Sequence, residues 1–529
     1  MQRELLKPFT PDFAEYLRDE SRSVGNAQSI SFPESEGEVI EALSSVYENN
    51  IQITIQGGRT GLAAAAVPYG GHIMNMTRMD KITGMGMDEA GSFFLKVQPG
   101  VILSKLAKQI EDKRFDTDDW DSKDKQAHRL FCDGPRWFFS PDPTESSATI
   151  GGMAACNASG ARSYLYGPVR NYIEGLRLVL CNGQTISLKR GEVFAENGRL
   201  SLTTEQGETI DISLPTYKMP DTKNASGYYI KPDMDAVDLF IGSDGTLGVI
   251  TEMELRLLPL PEVIWGVTCF FKEEGNAIDF VAHVREKLNN IAAIEYFDAN
   301  VLNLLKTQRE ENQAFAALPE IPEGFACAIY LELHCNDEKC AYELLFQIGG
   351  QMAACGGRED DTWVARTAFD RDKLIFFRHA APEIVNMIID RRKKANPIIT
   401  KLGTDMAVPH AFFKQTMEMY HNMLKERGLQ YAVWGHIGNS HVHVNILPKN
   451  EDQYLMGKEL YAFWAKNITD MGGSVSAEHG VGKLKANFLA LMYGEKHINE
   501  MAGMKYIFDP KGLLGVGNLF ETGKWGVSL

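Results

Sequence analysis

Eight cysteines in 529 residues form no CxxC pair, so the chain carries neither a disulfide framework nor a thiolate metal knuckle. Cys335 and Cys340 stand too far from other thiols to change that, and free, mostly buried thiols in a reducing compartment are expected. No apolar run approaches the ~18 residues of a membrane span, and the stretch from Met1 to Lys7 has no apolar signal core. A cytoplasmic protein is the expectation, with peripheral membrane association left open. An excess of positive charge is missing too. With 54 Lys and Arg against 70 Asp and Glu, the formal charge is −16, which argues against nucleic acid or an anionic membrane as the main partner. Small anionic substrates need only a local basic pocket. There is no internal repeat, no G-x-G-x-x-G and no P-loop lysine, so a nicotinamide fingerprint is absent as well.

What is present is ordinary for a globular protein in bulk, with 44% apolar and 23% charged residues. The length exceeds what one hydrophobic core usually holds, so two or three domains are expected. The character changes at Leu257-Leu258-Pro259-Leu260-Pro261, which sets boundaries at 1–258, 259–450 and 451–529. Residues 28–56 read as strand, helix, strand, the helix running over 36–49. Residues 93–97 read as a strand and a helix starts near Leu103. The aspartate-rich segment 111–126 reads as a solvated surface insertion. Leu239 to Thr251 reads as strand, glycine turn, strand. Beyond Val263, strands over 265–271 and 326–333 alternate with helices over 277–289, 337–353 and 411–427, which predicts an α+β domain with an antiparallel sheet. From Glu451 onwards the pattern is mostly helical.

Three of the 12 histidines fall in Trp434-Gly435-His436-Ile437-Gly438-Asn439-Ser440-His441-Val442-His443-Val444-Asn445-Ile446. Alternation from Val442 to Ile446 is the period of a strand with Val442, Val444 and Ile446 in a core and His441, His443 and Asn445 on the other face. Gly438-Asn439-Ser440 is turn chemistry that folds His436 back towards His443. Ser476-Ala477-Glu478-His479-Gly480 adds a carboxylate. Imidazoles plus a carboxylate are the ligand set of an open divalent-metal site, zinc first, then manganese or iron. Upstream, Gln56-Gly57-Gly58-Arg59-Thr60-Gly61-Leu62 follows a strand, and its small side chains let consecutive N–H groups form an anion nest suited to a diphosphate. From Ser146 to Gly160 almost every side chain is small, so that backbone is expected to approach something flat and large.

Taken as an ordered series from about residue 25 to 520, these stretches resemble the vanillyl-alcohol-oxidase flavoprotein superfamily. Within it they are most similar to the FAD-linked D-2-hydroxy acid dehydrogenases (D-lactate, D-2-hydroxyglutarate and glycolate). The resemblance implies an α+β fold with a flavin domain of two α+β subdomains, a ferredoxin-like cap, and a helical C-terminal segment returning to the flavin. FAD would be held by Gln56, Gly57, Gly58, Arg59, Thr60, Gly61, Leu62, Pro141, Thr149, Gly151, Gly152, Asn157, Ser159, Gly160, Tyr166, Gly167, Gly245, Ile250 and Asn518. No His or Cys lies between Gln56 and Gly71, so the flavin is expected to be non-covalent.

By the same likeness His436, His443 and Glu478 hold the metal and His479 is the base. Arg378 and Lys401 bind the substrate carboxylate, and Asn445 lines the substrate site. Two departures stand out. Asn439-Ser440-His441 replaces the family's Asp-Gly-Asn, which makes His441 a possible extra or substitute ligand. Pro382 stands where a hydroxyl-bearing residue is often found. The implied activity is oxidation of a small D-2-hydroxy acid, with electrons passed to a quinone, an electron-transfer flavoprotein or a cytochrome, and a homodimer is possible. Two alternatives stay open: an alkylglycerone-phosphate-synthase-like flavin transferase, and a non-catalytic flavoprotein subunit of an electron-transfer complex.

Overall fold

A computed structural model describes residues 5–521; Met1 to Glu4 and the last eight residues, ends of the first and third expected domains, lie outside it. The N-terminal half holds two main sheets and two two-stranded ones. A four-stranded sheet runs Lys7–Pro8, Ser29–Ser31, His72–Asn75, Ile53–Gln56, with the last three strands parallel. The helix Glu36–Glu48 makes the crossover. Ser35 caps it by accepting from Glu38 N, and Val39, Ala42, Leu43 and Val46 bury one face. A five-stranded antiparallel sheet follows in the order Ile82–Met87, Phe93–Val97, Val249–Arg256, Ile173–Val179, Thr185–Lys189. Two aspects differ from the sequence reading. Leu239 to Ile241 is no strand, because Asp235 Oδ1 accepts from Val237 N and starts the short helix Val237–Phe240. The aspartate-rich segment is not wholly solvated. Trp120 and Phe131 anchor it in the core, and buried Asp124 pairs with Lys96 at 3.1 Å at the start of the helix Ser122–Asp133.

The second half is built on an eight-stranded antiparallel sheet. Its main path runs Thr362–Ala365, Val263–Phe271, Cys327–Cys335, Ile291–Asp298, Tyr431–Gly435, His441–Ile446, Leu402–Gly403, with Met406–Ala407 added against His441–Ile446. The expected strands and helices beyond Val263 all occur, within three residues of their expected ends. The two C-terminal helices divide their allegiance. Glu451–Asp470 buries Leu460, Trp464 and Ile468 in the core of this sheet, whereas Ala486–Phe508, broken at Gly494, buries Leu489, Ile498, Met501 and Phe508 in the N-terminal half. The chain then returns beside the first sheet, where Ile53 N donates to Leu513 O and Gly515 N to Ile53 O. No helix among the described residues is long and apolar enough to cross a membrane.

Candidate active site

The glycine loops meet one another first. Thr149 caps the helix Ile150–Cys156, and its Oγ1 accepts from both Gly152 N (3.4 Å) and Gly58 N (3.2 Å), tying the first loop to the second. A Cβ on Gly57 would lie 2.2 Å from that hydroxyl, one on Gly151 2.4 Å from Pro99, and one on Gly160 2.1 Å from Asp142 O, so these three positions need glycine for close approach. Gly61 differs, because a Cβ there would meet nothing within 4 Å. The N–H groups of Thr60, Gly61 and Leu62 find no acceptor among the described residues. An open surface of unmatched amides fits a bound diphosphate. Arg59 contributes less than expected to this nest, since its guanidinium stacks 4.1 Å over Tyr16 and pairs with Glu15 at 3.3 Å.

Gln56 donates to Tyr16 O and Ala66 O, clasping both ends of the loop. Asn157 takes a left-handed conformation at φ 52° and accepts from Arg170 N. Pro141, Ser159 and Gly160 are buried. Gly167 and Gly245 have positive φ, and Ile250 sits in the strand opposite Leu178. Asn518 joins three segments, donating to Ala65 O and Asp244 O and accepting from Lys483 Nζ at 2.7 Å.

Against Ser159 lies the metal-type cluster, 3.5 Å away at Glu478 Oε2. The strand Tyr431–Gly435, the turn at Ile437–Asn439 and the strand His441–Ile446 bring His436 and His443 together, their ring centroids 5.7 Å apart. His443 Nδ1 donates to Thr404 O at 2.9 Å, which leaves Nε2 as an acceptor in the neutral ring. That Nε2 faces Glu478 Oε1 at 3.1 Å. Two acceptors at that distance require a proton or a cation between them. His436 Nε2 reaches the same carboxylate at 3.1 Å, and its Nδ1 is held by Glu295 at 2.7 Å. Burial opposes a charge on His436, but Glu295 and Glu478 outweigh it and lift its pKa to about 9. Burial likewise opposes ionisation of Glu478, and His436 and Lys223 overcome it, keeping the carboxylate well below its ordinary range. A divalent ion held by His436, His443 and Glu478 would satisfy the same charges. His441 is fully buried with Nδ1 lacking any hydrogen-bond partner, 4.0 Å from Glu478 Oε2, so the arrangement keeps it available as a further ligand. Its strand buries Val442 and Val444 in the cap core and His441 and Asn445 on the other face, with His443 half-buried between them.

His479 stacks on His443 at 5.2 Å, with Nε2 3.5 Å from Glu478 Oε1 and Nδ1 3.6 Å from Asp405 Oδ2. Burial, opposed by Asp405, lowers its pKa to about 4, so the ring is neutral at pH 7. Arg378, on the helix Ala368–Ala395, lies 3.8 Å from Glu295 and 5.0 Å over Tyr330, with Nε unpartnered. Pro382 has no N–H to give Arg378 O one turn earlier, so the departure from the family pattern falls on this residue's own turn of helix. Lys401 touches no member of the cluster; it lies 5.9 Å over Trp434. Asn445 is buried, with Nδ2 donating to His443 O and Oδ1 unpartnered.

Four residues of the site were not singled out by the sequence reading. Glu295 holds His436 and neighbours Arg378. Thr404 O fixes the His443 tautomer. Asp405, fully buried, takes Lys485 Nζ at 2.6 Å, Ser476 Oγ at 2.7 Å and the N–H groups of Glu478 and His479 at 3.2 and 3.0 Å, which shapes the whole loop. Lys223, from a loop of the N-terminal half, grips Glu478 Oε2 at 2.6 Å. A carboxylate inside the otherwise apolar run Ile291-Ala292-Ala293-Ile294-Glu295 was the available signal for Glu295. Nothing local marks Lys223.

Most of the chain is similar to known proteins. The family described as FAD binding domain matches residues 27–126 and 132–189, and FAD linked oxidases, C-terminal domain, matches residues 260–519. A D-lactate dehydrogenase of Anaerostipes hadrus is 26% identical, covering 96% of this chain and 92% of its own. Glycolate oxidase subunit GlcD of Bacillus subtilis (strain 168) is 24% identical, covering 93% and 88%. A D-2-hydroxyglutarate dehydrogenase of Xanthomonas citri pv. viticola is 24% identical, covering 98% and 94%. A solved alkyldihydroxyacetonephosphate synthase superposes with a TM-score of 0.60 over 97% of this chain and 82% of that one, at 15% identity, a likeness of fold. A FAD binding domain in the N-terminal half and a FAD-linked oxidase C-terminal domain lead to one assignment: the chain belongs to the FAD-linked oxidases and is a flavin-dependent oxidoreductase.

Proposed function

We propose that the protein oxidises a small D-2-hydroxy acid of the D-lactate type to the 2-keto acid. The observation that carries this reading is Glu295, which joins the two halves of such a substrate's recognition: it holds His436 of the ion cluster at 2.7 Å and Arg378 at 3.8 Å. An α-carboxylate and its neighbouring hydroxyl need a cationic fork and a Lewis-acid site side by side, and this geometry offers both. FAD, dissociable because its loop lacks a tethering residue, would be held by residues 57–62, the 149–160 segment and Asn518 and would supply the hydride acceptor. A divalent ion, zinc in the first instance, held by His436, His443 and Glu478, would lower the hydroxyl's pKa.

The chain's own groups do the rest. Arg378 offers a planar fork with a free Nε to the carboxylate. His479 takes the hydroxyl proton at Nε2, the nitrogen turned towards Glu478 of the cluster. Asp405 faces Nδ1 and stabilises the imidazolium that results. His436 and His441 are buried, which limits water at that side of the cluster. Removing the base as His479→Ala should slow flavin reduction by about 10²- to 10⁴-fold without releasing FAD, read by anaerobic stopped-flow; a rate close to wild type would remove His479 from this role.

Burial, aided by the nearby Arg22, holds Lys401 down to about 8. Its charge is therefore present below that pH and lost as pH rises through it. If Lys401 assists in drawing the substrate anion, KM should rise above pH 8 while kcat changes less, because the bound anion restores the proton. Lys401→Arg should keep KM flat to higher pH. An unchanged rise in that variant would assign the dependence to another group, such as Lys483, which burial also lowers to about 8.

Cytoplasmic location belongs to the same reading, with its free thiols. The alkylglycerone-phosphate-synthase-like alternative expects a His-rich run where this chain has Ser476-Ala477-Glu478. Anaerobic mixing with D-lactate, D-2-hydroxyglutarate and glycolate tests the proposal. Bleaching by at least one acid supports it, and a flavin bleached only by dithionite refutes it in favour of a transferase or a non-catalytic subunit.

A further inference from the structure

Cys335 ends the strand Cys327–Cys335 and is 1% exposed. Cys340 lies in the first turn of the next helix, Glu338–Ala354, and is only half-buried. Asp337 caps that helix by accepting from Cys340 N at 2.7 Å, which fixes the turn and turns the two side chains towards each other. The sulfurs are 2.9 Å apart. That is closer than unbonded sulfur atoms usually pack, so bond formation needs little backbone movement. Asn290 Nδ2 donates to Cys340 Sγ at 3.7 Å and restricts it further. No other thiol pair among the described residues is in hydrogen-bond contact.

The pair stands at a junction. Cys335 lies across the sheet from Val263, where the chain enters the cap sheet. The preceding residue, His334, accepts or donates at 2.6 Å to Tyr166 OH of the second glycine-rich segment and at 2.8 Å to Glu332, which in turn pairs with Arg162 at 2.6 Å. A bond at Cys335 would therefore brace the strand end that carries this relay between the two halves.

We propose that Cys335 and Cys340 are a redox-convertible dithiol, oxidised to an intramolecular disulfide by low-molecular-weight disulfides such as glutathione disulfide. The accessible Cys340 thiolate attacks one sulfur of the oxidant, forming a mixed disulfide and expelling one glutathione thiolate. Cys335 then loses its proton and attacks Cys340 Sγ, expelling the second glutathione. Two electrons pass from the protein's thiols to the oxidant, which leaves as two reduced thiols. Burial, then the neighbouring Cys340, push the Cys335 thiol up to about 12, which assigns it the resolving rather than the attacking step.

The test incubates the full-length, FAD-loaded protein with glutathione disulfide, traps remaining thiols by alkylation and maps peptides by mass spectrometry. Exposed Cys132 serves as the internal control for oxidant reactivity. The expected result is a Cys335–Cys340 linked peptide, lost in Cys340→Ser, reversed by a reducing thiol, and replaced in Cys335→Ala by a glutathione adduct that persists on Cys340. A persistent adduct on Cys340 in the wild-type chain, or both thiols still alkylated while Cys132 is modified, would overturn the proposal.

Discussion

Glu478→Gln should leave the fold and the bound flavin in place while metal is lost on dialysis, and the rate of flavin reduction by substrate should fall by at least ~10³-fold, or roughly 4 kcal/mol of barrier. The amide matches the carboxylate in shape, so the change is one of charge. In the native site Oε1 faces two imidazole Nε2 atoms at 3.1 to 3.2 Å while Oε2 is held by Lys223 at 2.6 Å. His443 therefore faces Oε1, His436 reaches both oxygens at 3.1 to 3.2 Å, and Lys223 fixes Oε2 from the N-terminal half. Removing the charge leaves Lys223 without its anion and the ion without its only anionic ligand in this set. Elemental analysis and single-turnover kinetics read the two effects separately. Retained metal with a rate within about tenfold of wild type would mean that the cluster is a hydrogen-bonded structural knot.

The second large effect is expected at Arg378. Arg378→Met should lower kcat/KM by on the order of 10² or more if the guanidinium binds, as proposed, a carboxylate that persists from substrate to product. Lysine should rescue poorly, because a point charge cannot reproduce the planar fork. The competing explanation is a purely structural ion pair with Glu295. That pair is loose at 3.8 Å, and Glu295 already has His436 at 2.7 Å, so a structural role would show as a lower thermal midpoint with unchanged kcat/KM. Measuring both quantities on one preparation separates the two.

The parts of this site that were legible in the sequence share one property: their chemistry is local. Glycines and small residues in runs, and histidines spaced along one strand, announce themselves because those residue types are rare or conformationally special. Glu295 was not legible because its meaning depends on sheet register. Tyr296 lies opposite Gly435 across the sheet, which sets Glu295 beside His436, some 140 positions away in the chain. Lys223 and Asp405 were hidden for the same reason, each acquiring its role through a loop that packs from elsewhere in the chain. The aspartate-rich segment misled because composition suggested solvent, whereas Trp120 and Phe131 supplied enough apolar surface to hold it down. Leu239 to Ile241 misled because a short apolar run has the same composition in a buried helix as in a strand, and the deciding residue, Asp235, lies outside it.

The claim on which the rest depends is that one site is assembled from both halves, a flavin cradle from the N-terminal glycine loops and an ion-binding, base-bearing wall from the C-terminal loop. A crystal structure of the FAD-loaded protein tests it most directly. The account places the isoalloxazine ring against Ser159, with His479 and the His436, His443, Glu478 cluster one small substrate's width from its face. An isoalloxazine bound away from Ser159, with those histidines facing protein alone, would contradict it.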